Sequence, residues 1–185
     1  LLLKIFFILF FFTSIAHAQL KNKLIKKIEE THTLFFEFRQ KIDNKVETGS
    51  CNIRYPKLIR CDYNDSYKKL LISNGKTLAI IQRRYKKIFY YSLKNTPLYF
   101  ILDKEYLIDF IKNNEPIELN NFFLKYEIQE NEKKTYIFFD KKTLNLKGWK
   151  TIDLYKNDVE FLISNSKANI PLEDNLFRIP SEDNL

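Results

Sequence analysis

The densest apolar patterning lies between Leu70 and Leu102, LLISNGKTLAIIQRRYKKIFYYSLKNTPLYFIL. Two apolar runs meet at Asn74-Gly75, a dipeptide suited to a two-residue hairpin whose central residues both need positive φ. A third run, Ile88 to Leu93, is rich in β-branched and aromatic residues and predicts a further strand. Asn95-Thr96-Pro97 predicts a helix start. Thr96 can cap it, and Pro97 suits the first helical position, where its missing N–H costs nothing. The helix that follows, Leu98-Tyr99-Phe100-Ile101-Leu102, is apolar on nearly every side, so it must be buried or must cover something apolar. The stretch reads as strand, turn, strand, strand and lid.

The rest of the chain predicts more sheet under that lid. Leu20 to Thr33 has Leu20, Leu24, Ile25 and Ile28 on one helical face and lysines and glutamates on the other. Leu34, Phe36 and Phe38 alternate with Phe35, Glu37 and Arg39 in a strand running to Lys41. Val46 to Arg54 and Leu58 to Tyr63 flank a Tyr55-Pro56-Lys57 loop. Tyr106 to Ile111 predicts a short apolar turn or helix, ended by Pro116. Phe122 to Gln129, Thr135 to Asp140, Gly148 to Tyr155 and Val159 to Ser164 follow at meander spacing, with Phe177 to Ile179 as a final short strand. The fold class is mainly β with helices: one strongly curved antiparallel sheet or barrel.

At the other end, Lys4, the apolar run Ile5 to Phe12 and Ala16-His17-Ala18 form the pattern of a secretory signal over residues 1–18. The run is short of the ~20 residues that span a bilayer. The expected product is exported, is cleaved after Ala18 and forms a single domain over residues 19–185.

Composition narrows the function. Glycine occurs only at Gly49, Gly75 and Gly148, so neither a Gly-rich phosphate loop nor a G-x-S-x-G elbow can be built. Beyond the signal, His32 is the only histidine, too little for a zinc site or a supported triad. The carboxylates fall mostly in turns, where they serve the backbone. An enzyme, a cofactor and a metal are therefore not expected. The net charge of +8 comes from lysines dispersed along the chain rather than gathered on a nucleic-acid-binding face. Arg83, Arg84, Lys86 and Lys87, with Tyr85 among them, are the densest basic cluster. They suit either docking to an acidic partner or anionic headgroups, or a solvated strand end. In an oxidising compartment the two cysteines become a disulfide candidate. If Tyr55-Pro56-Lys57 is the loop, Arg54 faces Leu58 and Cys51 faces Cys61, close enough to bridge.

Apolar residues exceed what one sheet face needs. Leu78 to Ile81 and Ile88 to Tyr91 are apolar or aromatic at consecutive positions. Either they form an ordinary core, or the sheet encloses a lipid-sized cavity. By alternation that cavity is lined by Leu34, Phe36, Phe38, Ala79, Ile81, Phe89 and Tyr91, under Leu98, Ile101 and Leu102.

The order of short motifs resembles the periplasmic outer-membrane lipoprotein carrier family, LolA, over nearly the whole chain after the signal. Phe38-Arg39-Gln40 resembles its F-x-Q. Ile53-Arg54-Tyr55-Pro56 resembles a strand ending in Arg-Pro, and Ile59-Arg60-Cys61-Asp62-Tyr63 resembles F-R-W-x-Y. Leu71 to Leu78, LISNGKTL, resembles L-V-S-D-G-K-T-L, and Leu93 to Leu102 resembles the L-x-x-T-P-x-x-x-L-L helix. Leu146-Lys147-Gly148-Trp149, Asp153, Asn169 and Phe177 fit the later pattern. The resemblance implies an unclosed barrel under a helical lid. It further implies a periplasmic monomer that takes acylated lipoproteins from an inner-membrane ABC transporter complex to an outer-membrane lipoprotein receptor. A lipoprotein-binding sensor or sorting protein of the same fold is the alternative, and an exported β-barrel enzyme the alternative from another class. Two departures stand out. Tyr55 holds the position of the arginine that ties the family's barrel to its lid, with Arg54 displaced by one and so expected on the other face. Cys61 and Ala79 hold its tryptophan positions. Arg54, Tyr55, Arg83 and Arg84 are the candidates for a lid latch or docking.

Overall fold

The computed structural model describes residues 18–130, 133–153 and 156–184. The signal reading lies outside the described residues, apart from Ala18. Helix α1 occupies residues 18–30. The strands are β1 (Thr33–Ile42), β2 (Lys45–Arg54), β3 (Leu58–Tyr63), β4 (Lys69–Asn74), β5 (Thr77–Gln82), β6 (Lys87–Ser92), β7 (Glu118–Leu119), β8 (Phe123–Glu130), β9 (Lys133–Asp140), β10 (Leu146–Ile152) and β11 (Asp158–Ala168). Between β6 and β7 lie α2 (Leu98–Leu102) and α3 (Lys104–Asn113).

All eleven strands form one antiparallel sheet in the order β6-β5-β4-β3-β2-β1-β11-β10-β9-β8-β7. Two meanders, β1 to β6 and β7 to β11, are joined along β1 and β11, and β6 and β7 remain as unjoined edges. The barrel is therefore open, and its inner face is covered by the helices. Leu24, Ile25 and Ile28 of α1, Phe100, Ile101 and Leu102 of α2, and Leu107 and Ile111 of α3 share one core with the inner faces of the strands. Asn169 secures the seam: its side-chain oxygen accepts the His32 N–H at 2.8 Å, and its amide donates to the Glu30 carbonyl at 2.9 Å.

The outer face carries a second, smaller core of Leu70, Ile72, Ala79, Ile81 and Ile88, with Ile179 packed on it. The segment after β11 lies across this face. Asp174–Phe177 there is a turn of 3₁₀ helix and residues 178–180 are in no strand, so the short strand expected from Phe177 to Ile179 does not form. Arg54 holds it, donating to Asp174 at 2.5 Å and to the Leu172 carbonyl, with its guanidinium 5.3 Å from the Phe177 ring centroid.

Local geometry corrects two further expectations. In the β4–β5 hairpin Ser73 pairs with Leu78, so the central turn residues are Gly75 and Lys76, one step later than Asn74-Gly75. Gly75 takes the positive φ (96°), while the Asn74 side chain accepts the N–H groups of Lys76 and Thr77. At the start of α2, the Thr96 hydroxyl donates backwards to the Leu93 carbonyl at 2.8 Å, and only its backbone carbonyl serves the helix, accepting from Tyr99.

Candidate functional site

The inner face and the lid do not fill the space between them. A cavity of about 240 Å³ lies between the first meander, β10 and β11, with Thr96, Pro97 and Leu98 as its roof. Its walls are mainly apolar: Ile59 and Cys61 of β3, Leu71 of β4, Leu78 and Ile80 of β5, Tyr91 of β6, Trp149 of β10 and Val159 and Phe161 of β11. Gln40, Lys69, Thr151 and Asp153 add polar groups at the end carrying the β1–β2, β3–β4 and β10–β11 turns.

An aromatic ladder braces one wall. Trp149 stacks on Phe161 with centroids 4.0 Å apart, Phe161 stacks on Phe38 at 4.7 Å, and Phe38 meets Tyr63 edge-on at 4.9 Å. The register makes room for it: Gly49 of β2 stands between Phe38 of β1 and Tyr63 of β3. A Cβ on Gly49 would lie 2.8 Å from the Phe38 ring and 2.2 Å from the Asp62 carbonyl oxygen. The Lys69 ammonium caps the ladder, 3.9 Å from the Tyr63 ring centroid.

Behind Lys69 sits a buried carboxylate, Glu47. Burial raises its pKa, but hydrogen bonds with Lys45 and Lys69 outweigh that and hold it below the usual carboxylate range. Lys45 lies 2.7 Å from one oxygen and Lys69 contacts the other. The Tyr63 hydroxyl donates to Gln40 at 2.9 Å, and its burial raises its pKa. This end of the cavity is thus polar, with Glu47 paired to two lysines and Tyr63 to Gln40, and the apolar part lies deeper, under the lid.

The lid is fastened at the opposite end by the β2–β3 tip. The Lys57 N–H donates to the Leu102 carbonyl at 3.0 Å, and the Lys57 ammonium pairs with Asp103 at 2.9 Å. Asp103 lies between α2 and α3, where it accepts the Tyr106 N–H as the cap of α3. Burial would raise the Asp103 carboxyl, but hydrogen bonds from Lys57, Tyr99 and the Tyr106 N–H hold it below its ordinary value. The hydrogen bond to Asp103 raises Lys57 correspondingly. Lys104, the first residue of α3, donates to the Glu29 and Thr31 carbonyls and so ties α3 to the end of α1.

The structure places the candidates read from sequence as follows. Tyr91 and Leu98 line the cavity. Leu34, Phe36 and Phe38 are on the inner face but belong to the filled core, as do Ile101 and Leu102 of the lid. Phe89 pairs with Ile80 and shares its face, yet lies 43% exposed on the edge strand, outside the cavity. Ala79 and Ile81 are on the outer face, against the C-terminal segment, and their neighbours Leu78 and Ile80 point inward instead. Cys51 and Cys61 are opposite one another and joined as a disulfide, with Cys61 at the cavity wall. Arg54 does not touch the lid; it faces outward, as its one-residue displacement requires. Tyr55 packs against the inner core, and burial pushes its hydroxyl up to about 12. Arg83 and Arg84 are exposed in the β5–β6 turn, remote from the lid. Sequence reasoning missed Lys57 and Asp103, because a lysine in a turn and an aspartate before a helix carry no signal of partnership so far apart in the chain. Trp149 and Phe161 were missed as wall residues because only the β1–β11 seam brings them beside β1.

Among the described residues, no group of three or more His, Cys, Asp or Glu is placed to hold a metal ion, and no helix is long and apolar enough to cross a membrane. Residues 29–180 match the family described as Outer membrane lipoprotein carrier protein LolA. Comparison with curated proteins found no match. Among solved structures, an uncharacterized conserved protein of Thermus thermophilus shares the fold, with TM-score 0.53, 9% identity and coverage of 88% of this chain and 94% of that one. A LolA superfamily protein of Nitrosomonas europaea aligns with TM-score 0.44 at 9% identity, over 89% and 98% of the two chains. A putative outer membrane lipoprotein-sorting protein domain of Vibrio parahaemolyticus aligns with TM-score 0.47 at 12% identity, over 85% and 94%.

Proposed function

The chain belongs to the outer membrane lipoprotein carrier protein family, LolA, and from that premise we propose that it is a periplasmic carrier that shelters the acyl chains of lipoproteins between two membranes. The observation that carries the reading is the apolar cavity under an apolar lid, closed by the Lys57–Asp103 pair at the tip of one hairpin. An acyl chain in water loses ~0.8 kcal/mol for each CH₂ left unburied, so a carrier must cover it completely. It must also release it. A lid whose own Leu98, Phe100, Ile101 and Leu102 occupy the inner face when no cargo is bound competes with the cargo and limits net affinity. Cavity and lid therefore work as one exchangeable apolar volume.

On this reading the acyl chain enters along Leu71, Leu78, Ile80 and Tyr91 against Trp149 and Phe161 and displaces α2. Cargo arrives from an inner-membrane ABC transporter complex and leaves to an outer-membrane receptor, with no bond made or broken. The test mixes the purified protein with vesicles holding the transporter and a lipoprotein. A soluble complex with lipoprotein is expected. Lipoprotein that stays in the membrane while the protein still binds an acyl probe would instead favour a sensor of the same fold.

A further inference from the structure

We propose that the β3–β4 and β5–β6 turns form a docking surface for an anionic phospholipid bilayer. Residues 64–68 and 83–86 are neighbouring turns at one end of the sheet, fastened to each other by the Arg84 N–H on the Tyr67 carbonyl at 3.2 Å and by the Tyr67 and Tyr85 rings, 5.5 Å apart. The surface they share is basic. Lys68, Arg83, Arg84, Lys86 and Lys87 are all exposed, and among the described residues none of them pairs with a carboxylate. Some cations elsewhere on the sheet are neutralised, as Lys134 is by Glu127 and Lys150 by Glu160; what sets the two turns apart is that their unpaired cations are gathered on one surface. Exposed aromatic rings accompany these cations: Tyr85 and Tyr67 are 52% and 39% exposed in the two turns, and Tyr90, 54% exposed, lies further along β6.

This combination selects a bilayer over an acidic protein. Tyrosine is suited to the depth of the headgroups, with its ring against apolar chains and its hydroxyl in water. Lysine and arginine beside it are drawn to anionic lipid, each contributing about fivefold in partitioning. Position agrees with chemistry. Strand β4 begins and β5 ends at these turns, and the polar end of the cavity, with Gln40, Lys69 and Asp153, is at the same end of the sheet. The latched hairpin tip at Lys57 is at the opposite end. A protein seated on these turns presents its cavity end to the membrane and leaves its latch in solvent. The proposal goes beyond the carrier reading and stands whether or not the cavity takes an acyl chain.

The experiment sediments the purified protein with vesicles of phosphatidylcholine alone or of phosphatidylcholine with about one third phosphatidylglycerol, without any lipoprotein. Binding is expected only to the anionic vesicles and should weaken with added salt. Arg83→Glu/Arg84→Glu should lose at least about thirtyfold in partitioning, and Tyr67→Ala/Tyr85→Ala should weaken it too. Lys142→Glu/Lys167→Glu makes the same change in net charge at exposed sites at the other end of the sheet and should bind as wild type does. Thermal melting and acyl-probe binding of each variant report folding and the cavity separately. Wild type that stays in the supernatant overturns the proposal and leaves an acidic protein as the occupant. Equal losses in the two charge-reversed variants also overturn it, by making net charge the cause.

Discussion

The Lys57 ammonium lies 2.9 Å from the Asp103 carboxylate and joins the β2–β3 tip to the lid. Lys57 is two residues after Tyr55, the position at which the family resemblance would place a lid-fastening arginine. The lid is thus held from the same hairpin by a different cation, which approaches the joint between α2 and α3. Lys57→Met or Asp103→Asn should loosen it; Asn keeps the helix cap, so the second change isolates the charge. A partly exposed pair contributes ~0–1 kcal/mol. Because lid and cargo compete, acyl-probe affinity should rise by up to about fivefold while the melting temperature falls slightly. Titration with a fluorescent acyl probe measures it.

The same pair sets a pH window. Asp103 is depressed in the folded protein, so its contribution is full above the unfolded carboxyl value and disappears as pH falls through the lower folded value. Lys57 is raised, so its contribution is full below the unfolded lysine value and disappears as pH rises through the higher folded one. Lid protection in hydrogen exchange, corrected for the intrinsic rate, should therefore stay level from about pH 5 to 9. It should drop below the ordinary carboxylate range and again above the ordinary lysine range, and Asp103→Asn should abolish the acid-side change.

Gly49 tests the aromatic ladder. A methyl group there meets the Asp62 carbonyl oxygen at 2.2 Å as well as the Phe38 ring, and the carbonyl belongs to the paired neighbouring strand. Gly49→Ala should cost ~1–3 kcal/mol by overpacking, read from denaturant unfolding. Near-ultraviolet circular dichroism should change along with it, because Phe38 couples to Phe161 and Trp149.

The register of β5 gives a paired test of which face is the cavity. Ile80 lines it and Ile81 does not. Ile80→Ala should weaken acyl-probe binding with a modest loss of stability. Ile81→Ala should cost ~2–5 kcal/mol of stability and leave probe affinity unchanged. The reverse pattern would put the site on the outer face.

Here the limits of the sequence become physical. Alternation reveals the buried face of a strand only when the other face meets water. In β1 it does, and Leu34, Phe36 and Phe38 are all on the inner side. In β5 both faces are covered, the inner by the lid and the outer by the segment carrying Ile179, so Leu78 to Ile81 are apolar throughout and parity carries no information. The Cys51–Cys61 pairing was legible because a three-residue loop sets the hairpin register by counting. The seam of β1 with β11, the Lys57–Asp103 pair and the Arg54–Asp174 pair all join residues far apart in the chain, and local pattern does not encode them.

The disulfide joins the centres of β2 and β3 at the cavity wall. Replacing both cysteines by alanine should lower stability by ~2–3 kcal/mol through the freed loop of the unfolded chain. Chemical denaturation of wild type with and without reductant, compared with the double variant, checks it: the reduced protein should approach the variant.

The central claim, that an acyl chain lies under the lid against β10 and β11, has a built-in reporter. Trp149 is the only tryptophan of the chain, and it lines the cavity, stacked on Phe161. Titration with a fatty acid brominated along its chain should quench Trp149 fluorescence saturably, and the unbrominated acid should compete the quenching away. Acyl binding that leaves Trp149 unquenched, or no binding at all, would contradict the account.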